Sequence, residues 1–156
     1  MEENFRGQAE RMYEVICSAL TKKGWNFAKK EENLQVIFAV DASDFTFNVG
    51  IGVEERKQRI YLQSPFVIEV NEDKRMEMAI AVCEANSVMP DGCIEYDIAK
   101  GTLGFRISAS LWDSKAGEGL IEYLIGSAFA VVDKYTKKFE KLNKGEISIK
   151  EFSVIG

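Results

Sequence analysis

The stretch PDGCIEYDIAKGTLGFRISASLWD, from Pro90 to Asp113, decides the architecture of the chain. Ile94, Tyr96 and Ile98 alternate with polar residues; after a tight turn, Leu103, Phe105, Ile107, Ala109 and Leu111 do the same. A period of two that keeps apolar and polar side chains apart marks a half-buried strand, and two such runs about one turn mark a hairpin. Pro90-Asp91-Gly92 breaks the chain just ahead of it, with residues that favour turns.

Working outward, both flanks of the hairpin are helical. Asn71 to Ser87 has helical spacing, which sets Met76, Ala79, Ile80 and Cys83 toward the sheet, with Asn71 as N-cap and Glu72 and Asp73 in the first turn. After the hairpin, Leu120, Leu124, Ala128, Val131, Tyr135, Phe139 and Leu142 form the stripe of a helix from about Gly119 to Asn143. Such a helix spans roughly 35 Å. Ser148 to Glu151 fits a capping box for a short terminal helix.

Upstream, the period of two returns. Leu34, Val36, Phe38 and Val40 form one strand face, and Phe45, Phe47, Val49, Ile51 and Val53 the next, across the turn DASD. A polar turn from Glu54 to Gln58 leads into Ile60, Leu62, Phe66, Ile68 and Val70. Pro65 cannot donate to a ladder, so this strand bends there or lies at an edge. Ahead of these, Ala9, Met12, Ile16, Ala19 and Leu20 make the stripe of a helix from Gln8 to Lys23, which Gly24 ends. Trp25 and Phe27 begin a short extended piece.

The order is therefore α-β-β-β-β-α-β-β-α. Strands joined by short turns pair antiparallel, and the helices cover one face. The expected fold is a two-layer α+β domain, one antiparallel sheet of five to six strands with helices on one face, across residues 1–156 as a single domain.

Composition limits the function. The 156 residues are 46% apolar and 29% charged, a globular balance, and no window approaches the roughly 18 apolar residues of a membrane span. The N-terminus MEENFRGQAER lacks the apolar core of a signal peptide. Cys17, Cys83 and Cys93 follow no metal or disulfide spacing and suit a reducing compartment. A cytoplasmic protein is expected, with no membrane partner. The net charge of −5 argues against nucleic acid; the lysines from Lys134 to Lys144 complement the C-terminal end of a helix dipole.

There is no histidine, so the imidazole-based triads and metal sites are excluded. The acidic pairs Asp41/Asp44, Glu54/Glu55 and Glu72/Asp73 fall at strand ends and helix starts, where acids are solvated or act as caps. Gly50-Ile51-Gly52 has no third glycine and no helix after it, so it reads as a bulge or close contact rather than a dinucleotide loop. No catalytic residue, cofactor site or metal site is expected, and the protein reads as non-enzymatic. Apolar residues on the phase of the sheet that should be polar are more informative. Ile37, Ala39, Tyr61, Val67 and Trp112 occupy it, and they form the candidate partner surface.

Three segments carry a family resemblance: Val82-Cys83-Glu84-Ala85-Asn86, then Pro90-Asp91-Gly92-Cys93-Ile94-Glu95-Tyr96-Asp97, then Gly101-Thr102-Leu103-Gly104-Phe105-Arg106. In this succession the chain resembles the YbjN-like family, bacterial proteins designated sensory transduction regulators, which share the fold of type III secretion chaperones. The resemblance implies structural motifs and no catalytic residues. Glu95, Asp97 and Arg106 share a phase and are expected to pair across the hairpin as a register device. The resulting expectation is a protein-binding module, a chaperone-like adaptor or regulator, homodimeric, that takes a client protein or extended peptide. Two other readings stay open here: a small-molecule-binding or carboxylate-based enzymatic domain, and a structural homo-oligomer.

Overall fold

The computed structural model describes residues 2–154. Six strands form one sheet: β1 (Ala28–Lys30), β2 (Gln35–Asp41), β3 (Thr46–Glu54), β4 (Arg59–Glu69), β5 (Cys93–Asp97) and β6 (Thr102–Ser110). Four helices accompany it: α1 (Glu2–Lys22), α2 (Arg75–Ser87), α3 (Glu118–Asn143) and α4 (Ile149–Val154). The sheet order is β1-β2-β3-β4-β6-β5, and every neighbouring pair is antiparallel. The expected α+β architecture is what the chain adopts.

One phase of each strand makes the core. Val36, Phe38, Phe47, Val49, Ile51, Ile60, Leu62, Phe66, Ile94, Phe105 and Ile107 are buried beneath the helices. α1 crosses β2 and β3, α3 crosses β4 and β6, and α2 lies against β5, with α4 packed on α2 and α3. Among the described residues, no helix packs on the opposite phase. Burying this one continuous apolar face is the main favourable contribution to folding.

The hairpin is held by polar side chains as well as by its ladder. Asn86 at the end of α2 donates to the Ile94 carbonyl (3.0 Å) and accepts from the Ile94 amide (2.8 Å). It thus substitutes for a strand on the outer edge of β5. Asp97 accepts from the amides of Ala99 and Lys100, 3.1 Å each, and so shapes the turn. Only Glu95 pairs with Arg106 (3.0 Å), so the expected trio is a pair plus a turn device. Ile98 sits in the turn, exposed, rather than on the inner face of β5.

Other expectations are corrected by the packing. α2 is turned so that Met78, Ala81, Val82 and Ala85 are buried, while Met76, Ile80 and Cys83 face outward. The helix has two apolar stripes, and the one that fits between β5, α3 and α4 wins. Asn71 makes no capping bond. Its amide instead donates to the Asn143 side chain (2.8 Å), which ties the end of β4 to the end of α3.

Pro65 marks a bend, not an edge, because β4 is central. Pairing of β4 with β3 stops at Gln63, and its register with β6 shifts between Pro65 and Glu69. Continuing the β3 register would set Pro65, which has no N–H, opposite Asn48. The Ser64 hydroxyl donates to the Asn48 carbonyl instead (2.6 Å). At the C-terminal end the capping box forms as its sequence implies: the Ser148 amide donates to Glu151 (2.6 Å) and the Glu151 amide to the Ser148 hydroxyl (3.2 Å).

Candidate functional site

The uncovered face of the sheet is built from the residues whose side chains alternate away from the core. Its floor is low because Gly50, Gly52 and Gly104 occupy it in β3 and β6. Gly52 is there for contact: a Cβ would come within 2.8 Å of the Tyr61 hydroxyl and 2.9 Å of the Leu34 carbonyl oxygen. Tyr61 therefore lies flat across β3 toward β2. The close-contact reading of Gly50-Ile51-Gly52 holds.

The candidate surface residues do not all meet. Ile37 pairs with Gly50 and Ala39 with Asn48, so both stand on β2 beside the glycine floor. Ile37 is 38% exposed; Val67, 71% exposed, lies beyond the bend in β4, where it has no ladder partner and lines a crevice with Val132 and Thr136 of α3, away from the glycine floor. Tyr61 pairs with Gly52 and Ser108 and joins the same face. Trp112 stands apart. It lies two residues beyond the end of β6 and packs edge-on against Phe5 of α1, with ring centroids 5.0 Å apart. It belongs to the end of the helix layer. Phe5 precedes the start expected for the first helix, so nothing in the local pattern exposes that partner.

The edge beside Ile37 and Ala39 adds a feature that alternation alone does not display. β1 has three residues and pairs only with residues 35–37 of β2. Residues 38–41 of β2 have β3 on one side and, among the described residues, no strand on the other. A free strand edge is a template for an added extended segment.

The electrostatics of this face are those of pairing, not of a reactive centre. Glu54 bonds Arg59 (2.9 Å), and this hydrogen bond holds its carboxyl below the usual range. Burial, followed by the nearby charge of Glu54, pushes the Tyr61 hydroxyl up. Arg106 is held above its ordinary value by its contact with the Cys93 sulfur and then by the charge of Glu95. Of the acidic pairs singled out in the sequence, Asp44 bonds Lys137 (2.7 Å) and Glu55 bonds Arg6 (2.9 Å). Among the described residues, no three Cys, Asp or Glu side chains come together as a metal-holding group. No helix of the described residues is long and apolar enough to cross a membrane.

Solved structures of other proteins share this α+β fold. The ExsC–ExsE complex matches with a TM-score of 0.61 at 10% identity, over 83% of this chain and 93% of the other. The HopA1–SchA chaperone–effector complex matches at 0.56 and 10% identity, over 79% and 91%. YbjN from E. coli matches at 0.57 and 11% identity, over 80% and 91%. These likenesses establish the fold that the sequence motifs suggest. No family model matches the chain, and comparison with curated proteins finds no significant match.

Proposed function

We propose that the protein is a non-enzymatic binding module that holds a client protein, as an extended segment, on the bare face and free edge of its sheet. One observation carries this reading: among the described residues no helix covers one sheet face, and Ile37 and Ala39 stand on it beside the glycine floor. Exposed apolar side chains over a wide flat surface gain about 25 cal/mol for each Å² a partner covers. Two structures with this fold are complexes with a protein partner, which is consistent with the reading. The net charge of −5 favours a protein client over nucleic acid. Its three free cysteines suit the cytoplasm.

The test is capture by the tagged protein from its native cell extract, compared between the wild type and an Ile37→Asp, Ala39→Asp double variant. Both positions are outside the core, so the thermal midpoint should hold within a few degrees. Specific partners are expected to drop about tenfold or more in the variant, equivalent to about 1.4 kcal/mol. Equal capture by both proteins would exclude the bare face.

The homodimer in this proposal uses a different surface. Met76 and Ile80 are 71% and 51% exposed and share a stripe of α2 with Cys83. Two copies of one stripe can pack about a two-fold axis, which makes a closed, self-complementary contact. Light scattering should give a dimer for the wild type and a monomer for Met76→Glu, Ile80→Glu, and mild oxidation should link wild-type chains through Cys83. A wild-type monomer at high micromolar concentration would rule out this arrangement.

A further inference from the structure

We propose that a cleft in the helix layer, between α3 and the α2–β5 connection, binds a small amphiphile with an apolar body and one anionic group. The cleft encloses about 410 Å³, within the range of about 300–1,000 Å³ typical of small-molecule sites. It is separate from the sheet face and does not depend on the protein-binding role.

Its construction follows from the sequence of α3. Ser127 and Ala130 are small, so the helix is slim where the connection passes. Val88, Met89 and Pro90 form one wall, and Val131 with the ring of Tyr135 forms the other. The two ends differ in charge. At one end, Asp91 accepts a hydrogen bond from the Tyr123 hydroxyl, and this contact closes the cleft with a carboxylate. At the other, the Lys134 ammonium lies 5.4 Å from the Tyr135 ring centroid and makes no ion pair among the described residues. Lys138 stands 5.5 Å from the same ring. Burial, and then the charge of Lys134, holds Lys138 below the usual lysine range.

That polarity orients the ligand. An anionic head would meet Lys134, its apolar body would lie along Val131 and Met89, and Asp91 would repel a head placed the other way round. An apolar body with a single carboxylate or sulfonate matches both ends, whereas a neutral molecule gains nothing from Lys134 and a dianion meets Asp91.

The probe is 1-anilinonaphthalene-8-sulfonate, read by fluorescence and by titration calorimetry on the intact chain, with octanoate and octanol as competitors. Saturable binding of one probe per chain is expected, with octanoate displacing it about tenfold better than octanol. Lys134→Ala should weaken octanoate about three- to fivefold and leave octanol unchanged, since a charge pair at an exposed lysine is worth at most about fivefold. Ala130→Trp should fill the cleft and abolish saturable binding at an unchanged thermal midpoint; Ser127→Leu serves the same purpose if the larger side chain disturbs folding. Three results would overturn the proposal: no saturable binding, equal displacement by octanoate and octanol, or binding that survives both cleft-filling variants. Binding that appears only as the protein is diluted would also overturn it, because the cleft would then be filled by a second copy.

Discussion

Phe139→Ala is expected to cost about 3–5 kcal/mol, the largest loss of any single truncation considered for this chain. Phe139 is fully buried and joins three elements. Its ring lies 5.4 Å from Phe66 on β4, 5.6 Å from Tyr135 on α3 and 5.6 Å from Phe152 on α4. Phe66 is the buried residue just past the Pro65 bend, so this cluster seats α3 on the irregular half of β4. Removing the ring leaves a cavity that three separate elements must collapse to fill. In a domain of this size each kcal/mol lowers the thermal midpoint by about 2–4 °C, so a fall of about 6–20 °C is predicted. Phe129→Ala provides the control. Phe129, also on α3, packs on Phe45 and Phe47 but is 38% exposed; its loss should be clearly smaller. Calorimetry of both variants checks the order, and equal midpoints would mean that the cluster at Phe139 is not the seat of α3.

Gly92→Ala is expected to lower the midpoint by about 6–12 °C, corresponding to roughly 3 kcal/mol. Gly92 has φ +73°, a conformation that costs an L-residue about 1–2 kcal/mol. Space is the greater obstacle. A Cβ here would lie 2.6 Å from the Arg106 carbonyl oxygen and 2.6 Å from Cζ of Phe105. One of these is backbone in β6 and the other a core ring, so neither can move away cheaply. The turn that delivers β5 to the sheet edge therefore depends on a missing side chain. Gly117→Ala is the matched comparison: a Cβ there meets nothing within 4 Å, and its midpoint should change little. A wild-type midpoint for Gly92→Ala would show that the approach of this turn to β6 is looser than described.

Much of this architecture was legible because alternation is a strong signal when one sheet face is buried and the other is bare. The strands at residues 35–41, 46–54 and 59–69 fall where Leu34 to Val40, Phe45 to Val53 and Ile60 to Val70 alternate. α2 was misread for a physical reason. Met76, Ile80 and Cys83 make one apolar stripe and Met78, Ala81, Val82 and Ala85 another, and only the tertiary fit of β5, α3 and α4 selects between them. The side left outside is the stripe now assigned to self-association.

Trp112 shows a second limit. Trp112 continues the alternation but lies two residues beyond the end of β6, where the chain has left the sheet and an aromatic contact with Phe5 takes over. Gln58 shows a third. It reads as a polar turn residue, yet it is fully buried: its side chain donates to the Phe5 and Glu55 carbonyls (3.1 and 2.6 Å), and its own carbonyl accepts from the Leu111 amide (2.7 Å). Contacts spanning about fifty residues of chain leave no local trace. The cleft at Lys134 is of the same kind, since its two walls come from segments that only the fold brings together.

The central claim is that the bare sheet face is where a client protein sits. Site-specific photocrosslinking in the native cell tests it, with a benzophenone side chain placed in turn at Ile37, at Ala39 and at Glu122 on the outer side of α3. Ile37 and Ala39 are expected to yield the same discrete protein adduct, and Glu122 none. Adducts from Glu122 alone, with none from the sheet positions, would contradict it.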